Sequence, residues 1–226
     1  MGNRAKFDWR TYAKQLPDYP LLGQKWEKDF VHITCDNIPE GEIGRVLEVG
    51  CSNGRWLRWF NREFGCKVWG LDKEELALEV QDGVIKFTIG NALHIPYKDG
   101  VFDAVFSLGL VEHFSEKDKY QILKEQQRVL RRGGYLICQA PLLSFFSLDY
   151  LYVKVFYDLR KGTKHFRTTK GELKDYFRKL DLRIIFSGFT GSLLEMNIVK
   201  QLSKLNIFNR LFASEILIIG KKFDGY

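Results

Sequence analysis

The sequence predicts an α/β protein with a mostly parallel, seven-stranded sheet and helices on both of its faces. Short apolar runs alternate with segments of helical periodicity along the chain, which is typical of parallel sheets built from β-α-β units. Two of the early runs end close to a carboxylate, at Glu48 and at Asp72. The 226 residues, of which 45% are hydrophobic, suit one domain with a sizeable core.

The strands are predicted at 45–49, 67–71, 85–89, 102–107, 135–140, 181–187 and 215–221. The predicted helices cover 21–36, 53–64, 73–81, 117–130, 170–179 and 193–205. Basic residues followed by glycines, from Arg131 to Gly134, are typical of a helix C-terminus, so the fourth helix is predicted to end there. The single domain, residues 1–226, is divided into an N-terminal helical arm (1–44), a core (45–140), a cap insert (141–168) and C-terminal helices and strands (169–226).

The composition narrows the class of protein. The four cysteines lie far apart without a C-x-x-C pair, so we expect neither disulfides nor a metal site, and we expect a cytoplasmic location. No apolar run follows Met1, which argues against a secretory signal. The net charge of +7 indicates an anionic partner without identifying it.

A glycine loop, Gly50-Cys-Ser-Asn-Gly54, follows the first predicted strand and precedes a predicted helix. Glycines at such positions allow a sharp turn and let a ligand approach the main chain closely. The dinucleotide fingerprint G-x-G-x-x-G is absent, and so is the Gly-Lys-Ser/Thr of a P-loop. These two kinds of phosphate-binding loop are therefore not indicated, and a generic strand-turn-helix of an α/β protein is the alternative to a ligand-binding loop.

The stretch from Glu48 to Gly54 resembles motif I of class I S-adenosylmethionine (SAM) dependent methyltransferases, an acidic-x-G-x-G-x-G pattern in which Ser52 replaces the middle glycine. Asn91-Ala92 follows strand 3, where many members have Asp-Ala. Residues 100–113 resemble the fourth motif with its Glu-His extension, and Arg131 to Leu136 resembles the next motif. With four matches over 45–140, the chain looks like a small-molecule-type, methyltransferase type 11-like member with a Rossmann-like fold.

The resemblance implies SAM as the cofactor and S-adenosylhomocysteine as the product. An acidic residue at the end of strand 2, Asp72, can accept both ribose hydroxyls, although aspartate also suits a helix N-cap. The resemblance assigns eleven residues to the cofactor: Glu48, Gly50, Cys51, Ser52, Gly54, Asp72, Lys73, Asn91, Ala92, Leu108 and Gly109.

The acceptor side is less clearly marked, because a sulfonium already activates the methyl group and few catalytic side chains are needed. His113 is a candidate base for a hydroxyl or amine acceptor, and the alternative is a histidine that fixes its loop by a hydrogen bond. Tyr12 and Tyr19 in the arm, and His165 and Arg167 in the cap insert, are expected to border the acceptor, with ordinary packing as the alternative.

The function predicted is methyl transfer to a small-molecule acceptor that is lipid-like or anionic. Residues 154–183 carry ten basic and four acidic side chains, which favours a membrane surface, RNA or simply a solvated basic face. The Asn/Asp-Pro-Pro-aromatic tetrad of amino-methylating nucleic-acid enzymes is absent, so no DNA partner is expected. The alternatives are an RNA methyltransferase and a SAM-binding, degenerate or regulatory partner subunit, and the oligomeric state is left open.

Overall fold

A computed structural model of the protein describes residues 24–74, 83–141, 168–191 and 215–223, together with Pro20 and Phe166. The strands within these ranges are β1 (Arg45–Val49), β2 (Lys67–Asp72), β3 (Ile85–Ile89), β4 (Phe102–Leu108), β5 (Leu130–Pro141), β6 (Leu182–Thr190) and β7 (Glu215–Lys222). The helices are α1 (Lys25–Asn37), α2 (Arg55–Phe64), α3 (Glu116–Val129) and α4 (Lys170–Lys179), with a 3-10 turn at Val111–His113.

The seven strands form one sheet in the order β3-β2-β1-β4-β5-β7-β6. Strands β1 to β5 pair in parallel, while β7 runs antiparallel to both β5 and β6. The predicted seven-stranded, mostly parallel sheet is therefore confirmed. Because β6 runs in the same direction as β1 to β5, the ends of all six strands lie at one edge, which we call the carboxyl edge.

Each face of the sheet is covered by its own helices. The buried residues of α3 and α4 pack with one face, and those of α1 and α2 pack with the other. Neighbouring residues of β1 show the alternation directly, since Val46 packs with α1 and α2, and Leu47 packs with α3 and α4. The prediction of helices on both faces is thus confirmed within the described ranges.

Aromatic side chains fix α1 against α2. Phe30 of α1 is fully buried, and its ring centroid lies 4.8 Å from that of Trp56 and 5.9 Å from that of Trp59. Trp26 lies 5.8 Å from Trp56 by the same measure. Buried rings of this size typically stabilise a fold by about 3–5 kcal/mol each relative to alanine. The contacts hold α1 over the helix that follows the glycine loop.

The junction between α3 and β5 differs from the prediction. The segment from Arg131 to Gly134 was expected to terminate a helix, but α3 ends at Val129 and this segment belongs to β5. The pairing of β5 with β4 shifts register between Phe102 and Ala104. A Cβ at Gly134 would lie only 2.7 Å from the carbonyl oxygen of Asp103, so the glycine allows close strand contact at the irregularity.

Asp103 holds the opposite edge of the sheet together. One oxygen of its carboxylate accepts the N–H groups of Gly44 (2.9 Å) and Arg45 (2.7 Å), and Arg131 donates to the other. These bonds join the first residues of β1, β4 and the β5 irregularity. Asp103 therefore lies far from the carboxyl edge and serves the fold.

Several predicted segments fall outside the described residues: the arm before residue 24 apart from Pro20, most of the helix at 73–81, most of the cap insert, and the helix at 193–205. Among the helices that are described, none has the length and apolar character needed to cross a membrane.

Candidate cofactor site

The glycine loop lies at the carboxyl edge, between the ends of β1 and β2. The N–H groups of Gly50 and Cys51 donate to the carbonyl oxygen of Leu71, at 2.8 and 3.2 Å. The N–H of Gly54 closes the turn onto the carbonyl oxygen of Cys51 at 2.8 Å. Gly50 and Gly54 have φ values of +80° and +74°, a region that glycine adopts readily. The loop is thus a tight backbone turn that opens into α2.

Ser52, the residue that departs from the family pattern, also lies in the left-handed region, with φ at +49°. A non-glycine residue there is strained by roughly 1–2 kcal/mol, which explains why a glycine suits the position. Its N–H donates to Oδ2 of Asp72 at 2.8 Å. The hydrogen bond offsets part of the strain, so the loop keeps its turn without the third glycine.

Asp72 occupies the end of β2 and connects to both sides of the site. Besides Ser52, it accepts the N–H of Glu74 at 3.1 Å through Oδ1, which is the hydrogen bond of an Asx turn. A carboxylate has about four acceptor positions, so two backbone bonds leave capacity for hydroxyl groups. The Lys73 side chain is 60% exposed, and its Nζ lies 3.7 Å from Oε1 of Glu74.

Glu48 is a buried carboxyl group beneath the loop. It is 3% exposed, and its Oε2 has no hydrogen-bond partner among the described residues. Burial raises its pKa well above the ordinary value, the Arg55 cation lowers the pKa, and the Asp72 carboxylate raises it further. Burial also raises the pKa of the neighbouring Cys51 thiol. A raised pKa keeps the thiol protonated, and a protonated thiol is a poor nucleophile. Cys51 therefore contributes its backbone to the loop.

Asn91-Ala92 forms the turn after β3. Oδ1 of Asn91 accepts the N–H of Leu93 at 3.0 Å, and its carbonyl oxygen accepts the N–H of His94 at 2.9 Å. The side-chain oxygen predicted to replace the family's aspartate is therefore engaged within its own turn. Ala92 is half-buried and packs on the face of the sheet that α3 and α4 cover.

The segment after β4 lies against the glycine loop. Gly109 has φ at +65° and donates its N–H to the carbonyl oxygen of Gln139 at 3.1 Å. This hydrogen bond joins the end of β4, at Leu108, to β5. The side chain of Leu110 covers the loop so closely that a Cβ at Gly50 would lie 3.0 Å from it. The structure thus brings the predicted residues of motif I and of the fourth motif into contact.

The 3-10 turn that follows holds Glu112 and His113. The Glu112 side chain is 3% exposed, and burial raises its pKa to about 8 although Lys119 acts to lower it. Nε2 of His113 lies 3.8 Å from Oε1 of Glu112, and the His113 side chain is 19% exposed. The carbonyl oxygen of Glu112 accepts the N–H of Phe166 at 2.6 Å. Phe166, within the cap insert, is therefore hydrogen-bonded to the turn that holds His113.

Four of the predicted site residues, Tyr12, Tyr19, His165 and Arg167, lie outside the described residues. Sequence reasoning assigned no role in the site to Arg55, Glu27 or Glu112. Arg55 directly follows the glycine loop and Glu112 directly precedes His113, so proximity to a motif was the available signal. No group of three or more metal-ligating side chains occurs in the part of the chain that the structure describes.

Comparisons with known proteins agree with this geometry. A family model described as a methyltransferase domain matches residues 47–138. The demethylmenaquinone methyltransferase of Geobacillus kaustophilus is 31% identical over 145 residues, which are 58% of this chain and 59% of that protein. A Xenopus tropicalis tRNA (carboxymethyluridine(34)-5-O)-methyltransferase, alkbh8, is 28% identical over 141 residues, 62% of this chain and 20% of that protein. The chain therefore spans between a fifth and three fifths of the length of these relatives.

Among solved structures, a methyltransferase of Haloferax volcanii in a complex with the Trm112 methyltransferase activator has the same fold, with a TM-score of 0.70 and 16% identity. The likeness covers 97% of this chain and 99% of that one. The family model spans the glycine loop, Asp72 and the strands up to β5, which are the elements that build the site. Residues 47–138 therefore match the class I SAM-dependent methyltransferases, a family whose cofactor is S-adenosylmethionine.

Proposed function

We propose that the protein transfers a methyl group from SAM to a small-molecule acceptor. The observation that carries the proposal is the hydrogen bond between the Ser52 N–H and Asp72, because it joins the glycine loop to an acidic residue at the end of the next strand. In open α/β folds this pair of features binds an adenosine-containing ligand outside the carboxyl ends of the strands.

The residues present fit that cofactor. Asp72 retains acceptor positions for the ribose hydroxyls, and Gly50 leaves the space that a side chain would fill beside Leu110. The unpartnered Oε2 of Glu48 is an acceptor suited to an ammonium group. Lys73 and the Asn91–Ala92 turn border the adenosine end in this assignment, and Leu108–Gly109 borders the methionine end. SAM, when bound, supplies a methyl group already activated by its sulfonium; the chain's own task is to orient the acceptor and exclude water.

In this proposal the acceptor binds at the turn that holds His113. This residue comes four positions after Gly109, and its side chain is 19% exposed. His113 would take the proton that a hydroxyl or amine acceptor loses during transfer. The Geobacillus relative is named for demethylmenaquinone, which favours a small-molecule acceptor. The Xenopus relative is named for tRNA, so the test includes both classes.

His113→Ala is expected to lower the rate of methyl transfer by about 100-fold, a typical contribution of one general base. Binding of S-adenosylhomocysteine should stay within about twofold of the wild-type value, because His113 lies on the acceptor side. His32→Ala, which removes an exposed histidine from α1, is the matched control. If His113→Ala turned over at the wild-type rate from about pH 6 to about pH 9, His113 would be a residue that fixes its loop and not a base.

The acceptor class can be tested with SAM that carries a labelled methyl group. The protein is incubated separately with a lipid extract, a polar metabolite extract and total RNA, and the label is followed into each. Label in either small-molecule fraction is the expected result. Label in RNA alone would show that the acceptor is RNA and not a small molecule. Binding of S-adenosylhomocysteine without transfer to any of the three fractions would favour the regulatory alternative.

A further inference from the structure

Arg55, the first residue of α2, forms a largely buried ion pair next to the glycine loop. Its Nη1 lies 3.1 Å from Oε1 of Glu27, and the two side chains are 17% and 6% exposed. The guanidinium carbon also lies 5.4 Å from the centre of the Trp56 ring. A guanidinium has five N–H donors in a fixed fork, and Glu27 supplies the one carboxylate that pairs with it among the described residues. Donor capacity therefore remains at a site that is mostly shielded from water.

Glu27 is held rigidly in place. It is the third residue of α1, and its Oε2 accepts the N–H of Gln24 at 3.3 Å in a capping box. Two residues further on, Asp29 accepts the N–H of Gly191 at 2.9 Å. Gly191 directly follows β6, whose end lies at the carboxyl edge. The first turn of α1, and with it Glu27, is thus anchored beside the glycine loop.

A second, independent feature points to a ligand at this place. Glu48 is 3% exposed and has an unpartnered Oε2, and its carboxyl group interacts electrostatically with Arg55. A buried acceptor without a partner is destabilising unless a donor reaches it. The site thus offers both guanidinium donors and a carboxyl acceptor without a partner, which matches an amino acid group with its carboxylate and ammonium.

We propose that Arg55 binds the α-carboxylate at the methionine end of the cofactor, and that Glu27 holds the guanidinium in position when the site is empty. The inference rests on the proposed function, since it assigns a role toward SAM. It adds two residues outside the motif I pattern, one of them on the N-terminal helix. Through Glu27, α1 becomes part of the cofactor site.

The test compares two ligands by calorimetry. S-adenosylhomocysteine carries the amino acid group, and 5′-methylthioadenosine has the same adenosine and thioether without it. Arg55→Ala is expected to weaken S-adenosylhomocysteine binding by about 10- to 100-fold, as for a lost charge-assisted hydrogen bond. Binding of 5′-methylthioadenosine should change by less than about twofold. Arg62→Ala, which removes a cation from the exposed side of the same helix, should leave both affinities unchanged.

Glu27→Gln separates ligand binding from packing. Glutamine also completes a capping box, but it is neutral and forms no ion pair with Arg55. This variant is expected to bind S-adenosylhomocysteine at least as tightly as the wild type. Equal losses for both ligands in Arg55→Ala, or a loss in Glu27→Gln as large as that in Arg55→Ala, would make the pair a structural unit and overturn the inference. Wild-type protein that binds neither ligand would instead contradict the proposed function.

Discussion

Replacing Gly54 with alanine is expected to lower the free energy of unfolding by about 3 kcal/mol. The residue has φ at +74°, where any side chain is strained, and a Cβ there would lie 2.6 Å from Cδ1 of Ile85 and 3.1 Å from the Phe87 ring. Strain and overpacking therefore add at one position. The glycine serves the packing of β3 against the loop as well as the approach of a ligand.

Gly65 provides the matched control for this prediction. It ends α2 with φ at +62°, and a Cβ there would meet nothing within 4 Å, so Gly65→Ala should cost only the strain, about 1 kcal/mol. Urea denaturation of the two variants and the wild type measures the difference. Equal losses at Gly54 and Gly65 would show that the β3 contact relaxes easily and would remove the packing role.

The second large effect is expected from Glu112→Gln, and it should depend on pH. Burial raises the pKa of Glu112 from its ordinary 4.5 to about 8, so the folded protein keeps a proton that the unfolded chain releases between these values. The contribution of Glu112 to stability is therefore fully present below pH 4.5 and is lost as the pH rises through about 8. Glutamine has the same shape and cannot ionise, so it should avoid this loss.

The measurement is the free energy of unfolding of wild type and Glu112→Gln at several pH values. The pH dependence of the difference between the two free energies should begin near pH 4.5. Above that pH, the free energy of unfolding of Glu112→Gln should rise relative to the wild type by about 1.4 kcal/mol per pH unit, up to about pH 8. Glu48, whose pKa is raised in the same direction, is present in both proteins and cancels in the difference. A difference that does not change with pH would mean that Glu112 is ionised in the fold.

The sheet and the loop could be predicted because their signals are local. Apolar runs that alternate with helical segments indicate the strands. The turn has positive φ at Gly50 and Gly54, and glycines at both positions indicate such a turn in the sequence. Asp72 was predictable for the same reason, because parallel strands end at one edge and an acidic residue after β2 must lie beside the loop after β1. These residues were placed without knowledge of distant contacts.

What could not be predicted depends on contacts between distant parts of the chain. The ion pair between Glu27 and Arg55 joins two helices across the loop, and periodicity shows that each helix is amphipathic without saying which charges meet. The burial of Glu112 depends on how the turn after β4 packs. At Asn91, composition could not show that the side-chain oxygen bonds within its own turn.

The central claim, that the loop and Asp72 form a SAM site, is tested most directly by titrating S-adenosylhomocysteine into wild type and Asp72→Ala in a calorimeter. The wild type should bind one equivalent, and the variant should bind about 5- to 150-fold more weakly, corresponding to about 1–3 kcal/mol for hydrogen bonds to a charged group. Asp175→Ala, an exposed aspartate of α4, should bind like the wild type. Binding of NAD with no binding of S-adenosylhomocysteine, or equal affinity in Asp72→Ala, would contradict the account.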